Sequence, residues 1–183
     1  MARDRDEPGW EAALAGQLAS GLLPSAARWL TGGGASRVAD LGAGAGKFCL
    51  VGAAVTGATF TGLEAREGLV RIARDAARRL GLSTARFVHA DVLVEPLTRH
   101  EAFYVCNPFA EGEAGPDEWL DPVLPASDKL TAATALAARL TMLPPGTRVA
   151  VHCGLGVPMP EGFTLVSSEP LGRRGAPLEC WER

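Results

Sequence analysis

Residues 38–48 read Val-Ala-Asp-Leu-Gly-Ala-Gly-Ala-Gly-Lys-Phe. Val38 and Ala39 close a short apolar run of the kind that forms a buried strand, and Asp40 stands at its end. Gly42, Gly44 and Gly46 then predict a tight turn whose backbone approaches a ligand closely, because no Cβ stands in the way. Phe48, Leu50, Val51 and Ala54 follow at helical spacing, so a helix is expected to start on the last glycine. A strand, a glycine turn and a helix N-terminus together make a nucleotide-binding device.

Spacing separates the nucleotides. A dinucleotide fingerprint, G-x-G-x-x-G, fails because Lys47 occupies the third glycine position counted from Gly42. A phosphate-binding P-loop fails because Leu41 replaces its first glycine and Phe48 its Ser or Thr. What remains is an acid two residues ahead of G-x-G-x-G. That pattern resembles the first motif of the class I S-adenosylmethionine-dependent methyltransferases.

Outward from this stretch, apolar strand-like runs alternate with helical periodicity, the pattern of a parallel sheet with crossover helices. The first strand is expected to end at Asp40, with others at 59–63, 85–90, 102–106 and 147–151, and two more at 163–168 and 178–181, joined through Gly172 and Gly175. Helices are expected at about 46–55, 67–80 and 127–143, with two short ones between residues 10 and 30, divided by Gly21 and Pro24. Trp10, Leu14 and Leu18 share one face of the first. Only about ten residues separate the third and fourth strands, which predicts a degenerate crossover helix. The fold class is α/β. The resemblance, which spans residues 36–182, implies a three-layer Rossmann-like sandwich with a mostly parallel seven-stranded sheet and an antiparallel last strand. Residues 1–35 supply a short N-terminal helical cap, 36–183 the core, and the whole is read as one domain.

Composition narrows the function. The 183 residues are 47% hydrophobic and carry a formal net charge of −3, so no overall basic field collects nucleic acid. No apolar run approaches a membrane span, and the charged N-terminus has no apolar core of a signal peptide behind it. Cys49, Cys106, Cys153 and Cys180 are scattered without a C-x-x-C pair. They are expected in helices or strands as buried, reduced thiols of a cytoplasmic protein, with no metal site among them.

In an open parallel sheet, ligands bind beyond the carboxyl ends of the strands. The first four strands finish on Asp40, Glu64, Asp91 and Asn107, in the order and spacing of the methyltransferase motif series. The resemblance implies that Glu64 accepts hydrogen bonds from the ribose hydroxyls of S-adenosylmethionine, with Ala65 beside it. It implies that Asp91 and the backbone of Val92 meet the adenine edge. Gly42, Ala43, Gly44 and Gly46 would line the amino-acid part of the cofactor, with Asp40 contacting it or ordering the turn. A helix cap for Glu64 and a turn role for Asp91 are the competing structural readings. Lys47 is expected to face solvent.

Asn107-Pro-Phe109 resembles the N-P-P-[YF] motif of methyltransferases acting on amino and amide nitrogens, with one proline fewer. Val105–Ala110 also resembles the V-N-N-F-A segment of histone lysine methyltransferases that lack a SET domain. Both likenesses make Asn107, Pro108 and Phe109 the candidate catalytic residues, with Asn107 also at the cofactor, and favour a nitrogen acceptor on a small molecule or a protein side chain. Methyl transfer from a sulfonium needs no metal. The alternative is a subunit or sensor that binds S-adenosylmethionine without transferring its methyl group.

The remaining candidates are weaker. His89 and His152 are expected as core histidines, and His100, in the loop before the fourth strand, as a possible base. Arg71, Arg74 and Arg78 form a stripe expected to be a solvated helix face. The acidic loop 111–121 surrounds Trp119, as either a substrate lid or an anchored loop.

Overall fold

The computed structural model of the protein describes residues 10–109, 129–171 and 175–183. The loop with Trp119 lies outside these residues. The elements run α1 (Trp10–Ser20), α2 (Leu22–Thr31), β1 (Arg37–Leu41), α3 (Lys47–Val55), β2 (Thr59–Glu64), α4 (Glu67–Arg79) and β3 (Ala85–His89). A single 3-10 turn (Leu97–Arg99) precedes β4 (Ala102–Cys106), followed by α5 (Lys129–Leu140), β5 (Arg148–His152), β6 (Thr164–Leu171) and β7 (Gly175–Glu182). The 3-10 turn is the degenerate crossover that the short connection predicts.

Seven strands form one sheet in the order β3-β2-β1-β4-β5-β7-β6. β7 runs antiparallel to both β5 and β6, while the pairs among β1–β5 are parallel. This is the expected Rossmann-like sheet. The strand order reverses between β1 and β4, which both flank the glycine turn. Register puts Leu41 level with Leu63 on one side and Val105 on the other, so the turn, Glu64 and Cys106 stand at one height.

Helices cover both faces. Val38, Phe60, Tyr104 and Ala150 point into a core shared with α2, α3 and α4. Ala39, Leu63, Phe103, Val105 and Val149 point the other way, against Leu136 and Leu140 of α5. The alternation along each strand is the period-two pleat. α3 is apolar all round because α1 and α2 pack over its outer side, and Phe48 to Gly52 are buried without a break. Phe48 stacks on Tyr104 with ring centroids 3.8 Å apart and planes 12° from parallel, which fixes the first turn of α3 to β4. No helix among the described residues is long and apolar enough to cross a membrane.

Several expectations need correction. Gly21, at φ +76°, alone divides α1 from α2, and Pro24 lies inside the first turn of α2. Proline is tolerated there because the N–H groups of a first turn have no partner within the helix. Leu18 is exposed, so the apolar face of α1 is shorter than its spacing implies. β1 runs on past Asp40 to Leu41, and β5 is shifted one residue to end on His152. β6 and β7 are both longer than expected because cross-strand pairing carries their polar residues, with register shifts between Leu165 and Ser167 and between Glu169 and Leu171. Cys153 lies beyond β5 and is exposed.

Candidate functional site

The glycine turn is built and braced by the chain itself. Gly42, Gly44 and Gly46 have φ of +84°, +55° and +84°, a backbone that L side chains rarely adopt. The Gly42 and Ala43 N–H groups donate to the Leu63 carbonyl at 2.9 and 3.0 Å, which hangs the turn on the end of β2. Gly44 N–H donates to Glu64 Oε2 at 2.8 Å. The other Glu64 oxygen accepts from the Arg66 N–H and from Arg66 Nε, each at 3.0 Å. Glu64 is buried. It thus ties the turn to the residue that starts α4. A carboxylate has about four acceptor positions, so one beside Gly44, on Oε2, is left for a ligand hydroxyl.

These bonds relocate the turn's free donors. The N–H groups of Gly42, Ala43 and Gly44 are used internally, whereas those of Ala45 and Lys47 find no acceptor among the described residues. They sit at the N-terminus of α3, where the helix dipole favours an anion. The Lys47 side chain is exposed, as expected. Ala43 packs on Gly62, where an added Cβ would lie 2.7 Å from the Ala43 Cβ.

Among the described residues Asp40 makes no hydrogen bond to the turn. It is buried on the α3 side of the sheet, where the Cys49 thiol donates to Oδ2 at 3.8 Å. Burial, and then the nearby Glu64, push its carboxyl up to about 8, so it holds its proton at neutral pH.

Asp91 is exposed beyond β3, and its Oδ1 accepts from the Leu93 N–H at 2.8 Å. Its carbonyl accepts from Val94 and Glu95, so the local role is a turn. Val92 is buried in the second core. The Ala65 carbonyl lies 2.8 Å from His89 Nε2, and His89 is exposed on the edge strand rather than in the core.

The structure brings the Asn-Pro-Phe segment to the glycine turn. An added Cβ at Gly42 would sit 3.1 Å from Pro108 Cα, so the two backbones touch. Asn107 is exposed and holds φ +44°, a left-handed conformation that asparagine tolerates better than most residues. Phe109 is half-buried against the second core. His100 lies before β4, at the opposite end of the strands from the turn, which removes it as a base for this cleft.

One group escaped the reading of strand ends because that reading stopped at β4. His152 ends β5 and is half-buried. Its Nδ1 lies 3.4 Å from the Tyr104 hydroxyl and 3.6 Å from Cys106 Sγ, with Cys153 beside them. The polar pair His152-Cys153 closing β5 was the signal available in the sequence.

No protein-family model matches the chain, and no curated protein matches its sequence. Solved structures do match in shape. TrmN from Thermus thermophilus superposes with a TM-score of 0.63 at 23% identity, over 88% of this chain and 48% of TrmN, so the chain spans about half of that protein. An RNA methyltransferase from Salinibacter ruber, in complex with S-adenosyl-L-homocysteine, gives 0.59 at 20% identity over 88% of this chain and 90% of its own. Magnesium protoporphyrin IX methyltransferase from Synechocystis PCC 6803, with bound S-adenosylmethionine, gives 0.60 at 14% identity over 99% and 87%. The fold of this chain is that of the class I S-adenosylmethionine-dependent methyltransferases.

Proposed function

We propose that the protein is an S-adenosylmethionine-dependent methyltransferase acting on a nitrogen acceptor, a single unit working in a reducing cytoplasm. The observation that carries this reading is the braced glycine turn at the sheet's switch point, with Pro108 packed against it and Asn107 exposed beside it. The residues fit the cofactor. The free N–H groups of Ala45 and Lys47 suit its carboxylate, and the open position on Glu64 Oε2 suits a ribose hydroxyl. In this reading Asp91 and the backbone of Val92 would meet the adenine, with Ala65 beside it and Asp91 Oδ2 accepting from the adenine amine.

When bound, S-adenosylmethionine supplies a methyl group already activated on a sulfonium. The protein then needs to position the acceptor and exclude water, a contribution of roughly 7–11 kcal/mol in favourable cases. The exposed Asn107 side-chain oxygen and the Pro108 carbonyl accept from the acceptor N–H groups, and Phe109 offers its ring beside them. One structural neighbour is named an RNA methyltransferase, which makes RNA a second acceptor class to test. The net charge of −3 gives little field to hold a polyanion.

Two results are expected. At 100 times its dissociation constant, S-adenosylhomocysteine adds about 2.7 kcal/mol of stability. In a domain of this size that raises Tm by roughly 5–11 °C. Glu64→Ala abolishes most of the rise; no rise in the wild type, or an equal rise in the variant, overturns the cofactor assignment. Separately, Asn107→Gly keeps the left-handed backbone but removes the amide. It leaves cofactor binding intact while turnover, read as S-adenosylhomocysteine release with an amine acceptor, falls about 10²-fold. Undiminished turnover rules out the orienting role, and a wild type that binds but never turns over is the partner or sensor described above.

A further inference from the structure

We propose that Cys106, His152 and Cys153 form a binding site for one thiophilic divalent cation, zinc by its donor set, with three protein ligands and a fourth position open. The site stands independently of the methyl-transfer reading.

The three donor atoms, Cys106 Sγ, a His152 ring nitrogen and Cys153 Sγ, all lie within 4.8 Å of one another. Zinc bonds of about 2.3 Å to sulfur and 2.0–2.1 Å to nitrogen, at tetrahedral angles, need an S···N separation of roughly 3.6 Å. Cys106 Sγ stands 3.6 Å from His152 Nδ1. That distance is set by the sheet: Cys106 and His152 are directly paired on β4 and β5, so their side chains leave the same face side by side.

Cys153 is the informative member. Were β5 to continue, residue 153 would point to the opposite face from His152. Instead Cys153 takes φ +61° and Gly154 follows at φ +80°, which swings the third donor back to the other two. A left-handed conformation costs a non-glycine residue about 1–2 kcal/mol, and such strain gathers at functional sites. Asn107, directly after Cys106, is the only other non-glycine residue with positive φ among those described. One departure thus belongs to the cluster and the other adjoins it.

Two thiolates and an imidazole select a soft or borderline cation over magnesium or calcium. A set of two cysteines and one histidine with an open place matches catalytic more than structural zinc. The Tyr104 hydroxyl, 3.4 Å from the same nitrogen, stands ready to hydrogen-bond whatever fills that place. Coordination converts both thiols to thiolates and releases two protons, so their two negative charges offset the cation. Cysteine spacing led to the expectation of no metal site. It does not register donors 46 residues apart that strand pairing brings together.

The test uses the full-length protein, reduced and stripped with a chelator, then titrated with cobalt(II) as a spectroscopic probe. One equivalent should produce a thiolate-to-cobalt charge-transfer band and tetrahedral visible bands, and zinc should displace it. Release of two protons per cation, measured in weak buffer, should accompany binding. Cys153→Ser, at an exposed position, should weaken cobalt binding at least about 100-fold with an unchanged circular dichroism spectrum. Cys106→Ser and His152→Ala should do the same, but Cys153→Ser carries the test if either fails to fold. Three outcomes overturn the site: no charge-transfer band in the reduced wild type, a band of equal strength in Cys153→Ser, or octahedral cobalt bands without thiolate character. A Cys106–Cys153 disulfide in air, with no cobalt uptake after reduction, counts as the first of these.

Discussion

Gly46→Ala is expected to lower Tm by about 10 °C. An added Cβ would lie 2.5 Å from Phe87 Cε1, 2.6 Å from Phe87 Cζ and 2.9 Å from Ala73 Cβ, with φ at +84°. Left-handed backbone costs alanine about 1–2 kcal/mol, and overpacking a filled core adds roughly 1–3 kcal/mol. At about 2–4 °C per kcal/mol for a chain of this length, the two together account for the expected loss. Phe87 cannot easily yield, because Gly62 grips the same ring: an added Cβ there would lie 2.6 Å from Phe87 Cδ1. Gly44→Ala separates the two causes. Gly44 has φ +55° with nothing within 4 Å of an added Cβ, so this variant carries only the backbone cost, about 1–2 kcal/mol. Equal losses in the two variants, measured by thermal melts in the same buffer, would show that Phe87 moves aside.

Asp40→Asn should act in the opposite direction and depend on pH. Burial first, then Glu64, push Asp40 from its usual 3.8 up to about 8, against a smaller opposing effect from the Cys49 thiol. Between those values the folded protein keeps a proton that the unfolded chain has released. Stability from this group is therefore complete below about pH 4, declines as pH rises towards 8, and levels off once both states are ionised. At about 1.4 kcal/mol per unit, the full decline is on the order of 6 kcal/mol. Asparagine keeps the shape and an acceptor for Cys49 while removing the titration. Urea unfolding at about pH 5, 7 and 8.5 should show the variant's advantage growing to several kcal/mol by the upper end. His100 and His152, both lowered by burial, bend the absolute curves the other way, but they cancel in the difference between the two proteins. A constant difference across that range would mean that Asp40 is not held protonated.

The legible part of this protein was the part written in contiguous residues. The glycine turn, the apolar strands and the short connection before β4 each rest on local spacing, and the structure keeps all three. The acids at the strand ends were found, but their partners were not. That Glu64 takes the Gly44 donor depends on a turn crossing to the neighbouring strand. That Asp40 faces α3 depends on which way the pleat falls, and a strand read one residue short hid it. The core place expected for His89 failed because β3 is an edge strand, which hydrophobic pattern does not carry. Cys153 lies past the end of β5, as the expected strand over 147–151 already implied. The Cys106, His152 and Cys153 cluster exists only through strand pairing.

The irregular outer strand has a consequence for crowding. β6 closes the sheet on one side and shows Leu165 and Val166 to solvent, the kind of edge to which another extended chain adds. Its two register shifts break the row of backbone donors and acceptors, and Pro170 withholds one donor altogether. Glu169 places a charge between them. A neighbouring molecule therefore meets an interrupted ladder rather than an open one, and growth of the sheet from chain to chain is opposed beside the exposed Leu165 and Val166.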